Sequence, residues 1–488
     1  MAYFRFCGHP MNLKRCVSFL VVCLFTFFLA LVPTSFYGTD PETLEPIFTL
    51  TQQRVIAIFF FTALMWILEV IPTWTTSVVA IVSILLTTSN KGLVFLISGE
   101  NVGSLTNYKD IMASFADPVI MLFLGGFVLA FAATKVGLDV QLAKLMLKPF
   151  GTNPKMVLLG VLLVIGVFSM FMSNTATAAM MLTFLTPVFA TLPKDGGGRI
   201  SLALAIPIAA NIGGMGTPIG TPPNAIALGA LAEAGYHINF VQWMIRMVPF
   251  VLVMLLISWV LLMKLFPFKA KSIELKIEPV KTHTTPFQRY VVGITFALTI
   301  LLWIFEGVFK VNSNIVAMIP FAVFSALGIL KARDLDQINW SVLWMVAGGF
   351  ALGTALKQTG LAANLIETIP FSSWQPLIVM IVGGLICYFL SNFISNSASA
   401  NLIVPILIVV GVALQNNPAF DSIGGVPAMI IGVAISASLA MCLPVSTPPN
   451  ALAHSTGMIS TKNMAMMGVI IGAVGLVLGY LMLIFIGF

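Results

Sequence analysis

The residues able to do chemistry lie in four short polar motifs set inside apolar runs. Ser169-x-x-x-Ser173-Asn174-Thr175-Ala176 and Ser391-x-x-x-Ser395-Asn396-Ser397-Ala398 place hydroxyls and carboxamides in the middle of the runs 155–192 and 376–414. Pro218-Ile219-Gly220-Thr221-Pro222-Pro223-Asn224-Ala225 and Pro444-Val445-Ser446-Thr447-Pro448-Pro449-Asn450-Ala451 interrupt the runs 200–235 and 424–456. None of the four contains a lysine, arginine, histidine or acid. They offer oxygen ligands, amides and the ends of broken helices. A helix N-terminus carries partial positive charge and orphan N–H groups, so it can hold a carboxylate or another oxyanion without a cationic side chain. Free carbonyls together with hydroxyl and amide oxygens make a small hard-cation site that suits Na⁺. An anion held without a fixed cation calls for a co-bound cation, which points to sodium coupling, because a proton relay would need an intramembrane acid or histidine.

The elements that must position these groups are membrane spans. Of 488 residues, 59% are hydrophobic and 8% charged, whereas a soluble fold needs about a quarter charged to cover its surface. The chain is therefore read as an all-α integral membrane protein. Its net charge of +7 is read as the lysine and arginine excess that orients membrane proteins, not as a nucleic-acid footprint. The five cysteines lack metal-ligand spacing and suggest neither a disulfide framework nor zinc. Polar backbone at membrane depth is tolerated only where protein or an aqueous cavity satisfies it, so 155–192 and 376–414 read as re-entrant hairpins with the clusters at their tips. Proline has no N–H and blocks the preceding turn, so 200–235 and 424–456 read as a helix, an unwound loop and a half-helix. Gly213, Gly214, Gly216 and Gly220 are expected to relax the chain ahead of the first break.

The chain repeats itself. Trp66-Ile67-Leu68-Glu69 recurs as Trp303-Ile304-Phe305-Glu306 and Gly125-Gly126-Phe127 as Gly348-Gly349-Phe350, and with the polar motifs the offsets are 237, 223, 222 and 226 residues. An insertion of 14 residues near Lys91 to Asp110 aligns all four. Five crossings per half make the halves inverted repeats, 51–267 and 288–488, joined by a cytoplasmic linker over 268–287 and preceded by a tail, an extra helix and an outer loop over 1–50. That gives about 11 spans. With the N-terminus cytoplasmic and the C-terminus outside, 18 of 24 basic residues fall inside. Matched breaks and tips across an inverted repeat mark a transporter binding site near the midplane. Glu69, Glu306 and His454 are read as structural, and the aromatic residues as lipid packing.

The paired Ser-Asn-Thr-type tips, each followed by a Thr-Pro-Pro-Asn loop, resemble the divalent anion:sodium symporter family of dicarboxylate, citrate and sulfate carriers, over residues 50–488. The resemblance implies eleven membrane helices, a scaffold domain that dimerises, and a transport domain that moves as an elevator. It implies a first sodium site at Ser169, Ser173, Asn174 and the Gly220 carbonyl, and a second at Ser391, the Ile394 carbonyl, Asn396 and Ser446. It implies substrate carboxylates on Asn174, Thr175, Thr221, Asn396, Ser397, Thr447 and Pro448. Ser397 stands where the family's dicarboxylate carriers commonly have threonine, which keeps the hydroxyl and loses a methyl. The expected function is Na⁺-coupled symport of C4-dicarboxylates (succinate, malate, fumarate) across the cell membrane, a bacterial inner membrane, by a homodimer in lipid. Citrate or sulfate transport and dicarboxylate exchange are alternatives. An anion channel or a membrane-embedded enzyme is the reading from another class, although no nucleophile, acid or metal cluster speaks for an enzyme.

Overall fold

Apolar runs fold as helices in lipid because only an internal hydrogen-bond ladder satisfies their backbone there. The computed structural model describes residues 4–6, 9–11, 13–39, 45–99, 101–193, 196–273 and 284–488. Residues 274–283, the centre of the expected linker, and Asp40, Glu42 and Lys194 lie outside the described residues. One short antiparallel strand pair, β1 (Phe4–Phe6) and β2 (His9–Met11), precedes the extra helix α1 (Leu13–Leu31). It is the one sheet among the described residues in an otherwise helical protein.

The first half then runs α2 (Leu50–Leu68), α3 (Thr73–Thr87), two short helices α4 (Val94–Ile97) and α5 (Tyr108–Ala113), α6 (Pro118–Val136) and α7 (Leu138–Leu147). The tip-bearing pair α8 (Pro154–Phe171) and α9 (Asn174–Thr191) follows, then α10 (Gly197–Gly214), α11 (Pro222–Glu233) and α12 (Phe240–Leu265). The second half opens with α13 (Pro286–Ile304), the one-turn helices α14 (Glu306–Phe309) and α15 (Ser313–Val316), α16 (Met318–Ala326), α17 (Trp340–Gln358) and α18 (Leu361–Thr368). It closes with α19 (Pro376–Ser391), α20 (Asn396–Leu414), the short α21 (Pro418–Asp421), α22 (Gly425–Leu439), α23 (Pro448–Ser455) and α24 (Thr461–Phe485). The series α2-α3-α6-α7-α8-α9-α10-α11-α12 thus recurs, element for element, as α13-α16-α17-α18-α19-α20-α22-α23-α24. The insertion that aligned the halves falls on α4 and α5.

Local chemistry repeats with the elements. Thr49 with Gln52 and Thr285 with Gln288 form the same capping box at the starts of α2 and α13. At the other ends, Trp66 Nε1 donates to the Thr73 carbonyl at 3.1 Å and Trp303 Nε1 to the Ser313 carbonyl at 3.0 Å. Each indole thereby ties a helix end to the start of a following helix, α3 for Trp66 and α15 for Trp303. Glu69 lies in the left-handed region (φ 44°) as the C-cap of α2, and Glu306 Oε1 accepts from the Ser313 N–H. Glu69 thus closes one helix and Glu306 opens another.

Among the described residues, seven helices are long and apolar enough to cross a membrane, and five shorter apolar helices accompany them. Their burial differs widely. The most hydrophobic stretch of α13 is 22% buried, with Ile294, Leu298 and Leu301 outward, whereas that of the α6 segment is 72% buried. Exposed apolar side chains on such a helix are what lipid requires.

Two compact units are distinguished, one formed by Met1–Asp117, Trp340–Val379 and Asn401–Asp421, the other by Pro118–Asn339, Met380–Ala400 and Ser422–Phe488. In the first, α17 lies along α3, with Gly348 over Ser77, and Phe115 stacks on Trp344 at 4.2 Å. In the second, α6 lies against α16, and α10 packs on α8, α9 and α12. Each half therefore packs a helix of the other: α17 of the second half on α3 of the first, and α6 of the first on α16 of the second. The second unit also holds both polar tips and both Pro-Pro loops.

Candidate functional site

The first tip and the first loop meet in one knot of oxygens. Ser173 ends the extended turn after α8 and caps α9, its Oγ accepting from the Ala176 N–H at 3.2 Å. Asn174, the first residue of α9, is thereby aimed back at Ser169 on the last turn of α8. Ser169 Oγ is fully buried, 2.6 Å from the inward atom of the Asn174 carboxamide and 2.7 Å from the Ala210 carbonyl of α10. That same carboxamide atom lies 3.2 Å from the Ala210 and Gly220 carbonyl oxygens. With nitrogen inward its two hydrogens are shared among the Ser169 hydroxyl and the Ala210 and Gly220 carbonyls, and the knot closes on itself. With oxygen inward, four oxygens converge with one hydroxyl proton among them, an arrangement that needs a cation at its centre.

Glycine makes this approach fit. A Cβ on Gly213 would lie 2.4 Å from the Gly166 carbonyl oxygen, and one on Gly214 would lie 2.5 Å from Asn174 Oδ1. The expectation that these glycines loosen the chain is corrected: α10 is helical through Gly214, and they serve to let α10 touch α8 and the tip. The loop itself is stapled. Asn224 Nδ2 donates to the Gly214 and Thr217 carbonyls at 3.0 and 2.7 Å, Thr217 Oγ1 donates to the Met170 carbonyl, and Trp243 Nε1 donates to that of Met215.

The second tip and second loop follow the same plan with different contents. Asn450 Nδ2 staples the Met441 and Leu443 carbonyls at 2.8 and 3.0 Å, as Asn224 does in the first loop. Ser446 Oγ donates to the Asn392 carbonyl at 2.9 Å and accepts from the Leu443 N–H, while Asn392 Oδ1 accepts from the Cys442 N–H. Ser395 caps α20 through the Ala398 N–H, as Ser173 caps α9. Yet Ser391 Oγ, fully buried, has no nitrogen or oxygen partner and faces the Cys387 thiol, a weak donor. Asn396 Oδ1 is also buried without a partner. Two unpaired buried oxygens at the place equivalent to the first knot are an energetic cost unless something binds them. A cation with oxygen ligands fits both joints.

The remaining predicted residues surround these joints. Thr221 and Thr447 are the buried N-caps of α11 and α23, Thr175 and Pro448 are exposed, Ser397 is half-buried and Ile394 is buried. α23 packs on α9 and α10, which brings the second loop to the helix begun by the first tip. The N-termini of α9 and α20 supply orphan amides for an anion, whereas α11 and α23 open on Pro-Pro, which has no N–H, and contribute only the partial positive charge of a helix start. Sequence reasoning gave Asn224 and Asn450 no separate task, though their place in both Pro-Pro-Asn motifs was a signal. Asn211 and Asn392 carried no such signal, because their partners are distant in sequence. Asn211 Nδ2 donates to Thr447 Oγ1 at 3.1 Å and to Asn450 Oδ1 at 3.2 Å. His454 Nε2 lies 3.1 Å from Thr461 Oγ1, between the end of α23 and the start of α24.

Known proteins place this architecture. The fold matches the crystal structure of the Alcanivorax borkumensis YdaH transporter with a TM-score of 0.56 over 97% of each chain, and at 13% identity this likeness concerns the fold alone. The sequence is 30% identical to the sodium-dependent dicarboxylate transporter SdcS of Staphylococcus saprophyticus, covering 88% of this chain and 85% of that one. It is 30% identical to SdcS of Staphylococcus aureus, covering 85% and 82%. The citrate transporter family CitMHS matches residues 63–422. The two tips, the two Pro-Pro loops and these matches agree, and the chain belongs to the citrate transporter family CitMHS.

Proposed function

We propose that the protein is a Na⁺-driven symporter of C4-dicarboxylates such as succinate, malate and fumarate. The observation that carries this reading is the pair of oxygen-lined joints beside four helix N-termini, with no ionised side chain in any of the four motifs. One Na⁺ is held by Ser169, Ser173, Asn174 and the Gly220 carbonyl, the other by Ser391, the Ile394 carbonyl, Asn396 and Ser446. The carboxylates are held by Asn174, Thr175, Thr221, Asn396, Ser397, Thr447 and Pro448. Asn174 and Asn396 belong to both lists, so the ion orients the carboxamide that the anion then uses. A dianion entering without these cations would meet only partial charges in a low-dielectric site, so its binding depends on sodium. The names of the SdcS relatives support both the cation and the anion class.

The same reading places the N-terminus in the cytoplasm and the C-terminus outside, with inverted repeats 51–267 and 288–488 joined by the linker 268–287. It makes the protein a homodimer in a lipid bilayer whose transport domain moves as an elevator. Uptake of labelled succinate into proteoliposomes, with and without an inward Na⁺ gradient, tests it. Accumulation only with the gradient is expected, and counterflow indifferent to the gradient overturns symport. The family's description supports citrate as a second substrate, which competition by citrate in the same assay resolves.

A further inference from the structure

The two Pro-Pro loops differ at the hydroxyl of their threonine. Thr447 Oγ1 receives two donors, Asn211 Nδ2 at 3.1 Å and the Asn450 N–H at 3.3 Å. A hydroxyl oxygen has two lone pairs and one proton, so both lone pairs are occupied and the proton must point elsewhere. Among the described residues no hydrogen bond takes that proton, although Thr447 is 4% exposed, Asn211 2% and Asn450 1%. Asn211 itself is fixed in this role. Its carboxamide nitrogen spends its two hydrogens on Thr447 and on Asn450 Oδ1, while the Asn450 nitrogen is held by the Met441 and Leu443 carbonyls. The direction of the chain of donors is therefore set by backbone carbonyls and ends at the Thr447 proton.

The first loop has no such device. Thr221 makes no side-chain cap bond, and the residue 226 positions after Asn211, where a symmetric partner for Thr221 would stand, is Ala437. The Thr221 hydroxyl is thus not oriented by an equivalent asparagine.

We propose that Asn211 is a specificity-determining positioning residue, which polarises Thr447 so that its hydroxyl is a committed donor to one carboxylate oxygen of the substrate. Resting on the proposed dicarboxylate transport, this gives the site one end that favours a deprotonated oxyanion over a neutral group and one end, at Thr221, that tolerates either donor or acceptor. A neutral hydroxyl or amide at the Thr447 end offers a weaker acceptor than a carboxylate. One of the substrate's two carboxylates is accordingly read by the second loop.

The test uses full-length protein in proteoliposomes, with Na⁺-driven uptake of labelled succinate as the readout. Wild-type uptake alone examines the transport reading, whereas the ratios among variants examine Asn211. For Asn211→Ala, KM for succinate should rise about tenfold while the maximal rate stays within about twofold, since a charge-assisted hydrogen bond loses its fixed direction. Asn211→Asp should be worse than Asn211→Ala, because an aspartate at that place accepts the Thr447 proton and turns oxygen lone pairs toward the substrate. In a Thr447→Val background, Asn211→Ala should add little to the rise in KM. Gel filtration and thermal unfolding of each variant in detergent separate these effects from misfolding. The proposal is overturned if folded Asn211→Ala and Asn211→Asp both keep the wild-type KM, or if Asn211→Ala raises KM equally with Thr447 and with valine in its place.

Discussion

At the first joint, where the α8–α9 tip meets the first Pro-Pro loop, the polar atoms at the centre find partners within the protein: Ser169 reaches Asn174 and the Ala210 carbonyl, and Asn224 closes the loop beside them. At the second joint the loop is equally well stapled, by Asn450 and Ser446, but Ser391 Oγ and Asn396 Oδ1 are buried with no oxygen or nitrogen to meet. The helix crossings differ too. Gly213 and Gly214 press α10 onto α8 and Asn174, whereas Leu439 and Ala440 stand at the corresponding positions of the second half. Equivalent motifs thus build one site that closes on itself while the Asn174 nitrogen faces inward and one whose burial cost a ligand must offset. On the proposed reading of both joints as cation sites, the two would bind their ions with different affinities.

Three experiments can break or sharpen this contrast. The largest effect belongs to the crossing. Gly213→Ala puts a methyl 2.4 Å from the Gly166 backbone oxygen, which cannot move as a flexible side chain would, so a loss of about 3 kcal/mol is expected by thermal unfolding in detergent. An unchanged melting temperature would show that the α8–α10 contact is looser than described.

The next effect compares the joints directly. In sodium-free buffer, Ser169→Ala should cost about 2 kcal/mol, since it leaves Asn174 and the Ala210 carbonyl short of a partner. Ser391→Ala removes an oxygen that has no such partner and should cost close to nothing under the same conditions. Sodium should then separate them further, with the Ser391→Ala protein losing most of the ion-induced rise in melting temperature. Equal costs for both serines in sodium-free buffer would erase the proposed difference.

The smallest effect lies away from the joints. Lys135, in the last turn of α6, pairs with Asp334 and also donates to the Ile329 carbonyl. Burial by itself raises the Asp334 carboxyl. The Lys135 hydrogen bond, the Lys331 N–H and the charges of Lys135 and Arg333 outweigh it, so the group is held below its ordinary value of 3.8. A carboxyl depressed in the folded state contributes stability above its unfolded value, and that contribution disappears as pH falls through the lower folded value. Asp334→Asn should therefore cost about 1 kcal/mol or less at neutral pH, with no difference from wild type well below pH 3.8. A cost that persists at such acidity would mean that the carboxamide disrupts packing instead of removing a charge.

Much of the fold was legible because lipid leaves few options. Apolar runs had to be helices, and the Pro-Pro pairs had to break them, whereas the single prolines Pro187, Pro207, Pro249 and Pro405 are carried inside helices. Hydroxyls before Asn174 and Asn396 were natural helix caps, as Ser173 and Ser395 turn out to be. The repeat was legible because duplicated motifs keep their order, down to the indole that ties each Trp-x-x-Glu turn to a following helix. The purpose of Gly213 and Gly214 was misread because sequence shows that a glycine is permissive but not which atom comes close to it. The strand pair β1–β2 escaped because six residues carry no usable period.

The sequence by itself determined that this chain crosses a membrane, that it is built from two related halves, and which four motifs carry its polar chemistry. Those are consequences of composition, periodicity and order along the chain. The tertiary structure decided which donor meets which acceptor: that Asn211 on α10 reaches Thr447, 236 residues away, and that Ser391 meets no such partner where its counterpart Ser169 is held. Hydrogen bonds act over about 3 Å, and only folding brings residues so distant in sequence within that reach.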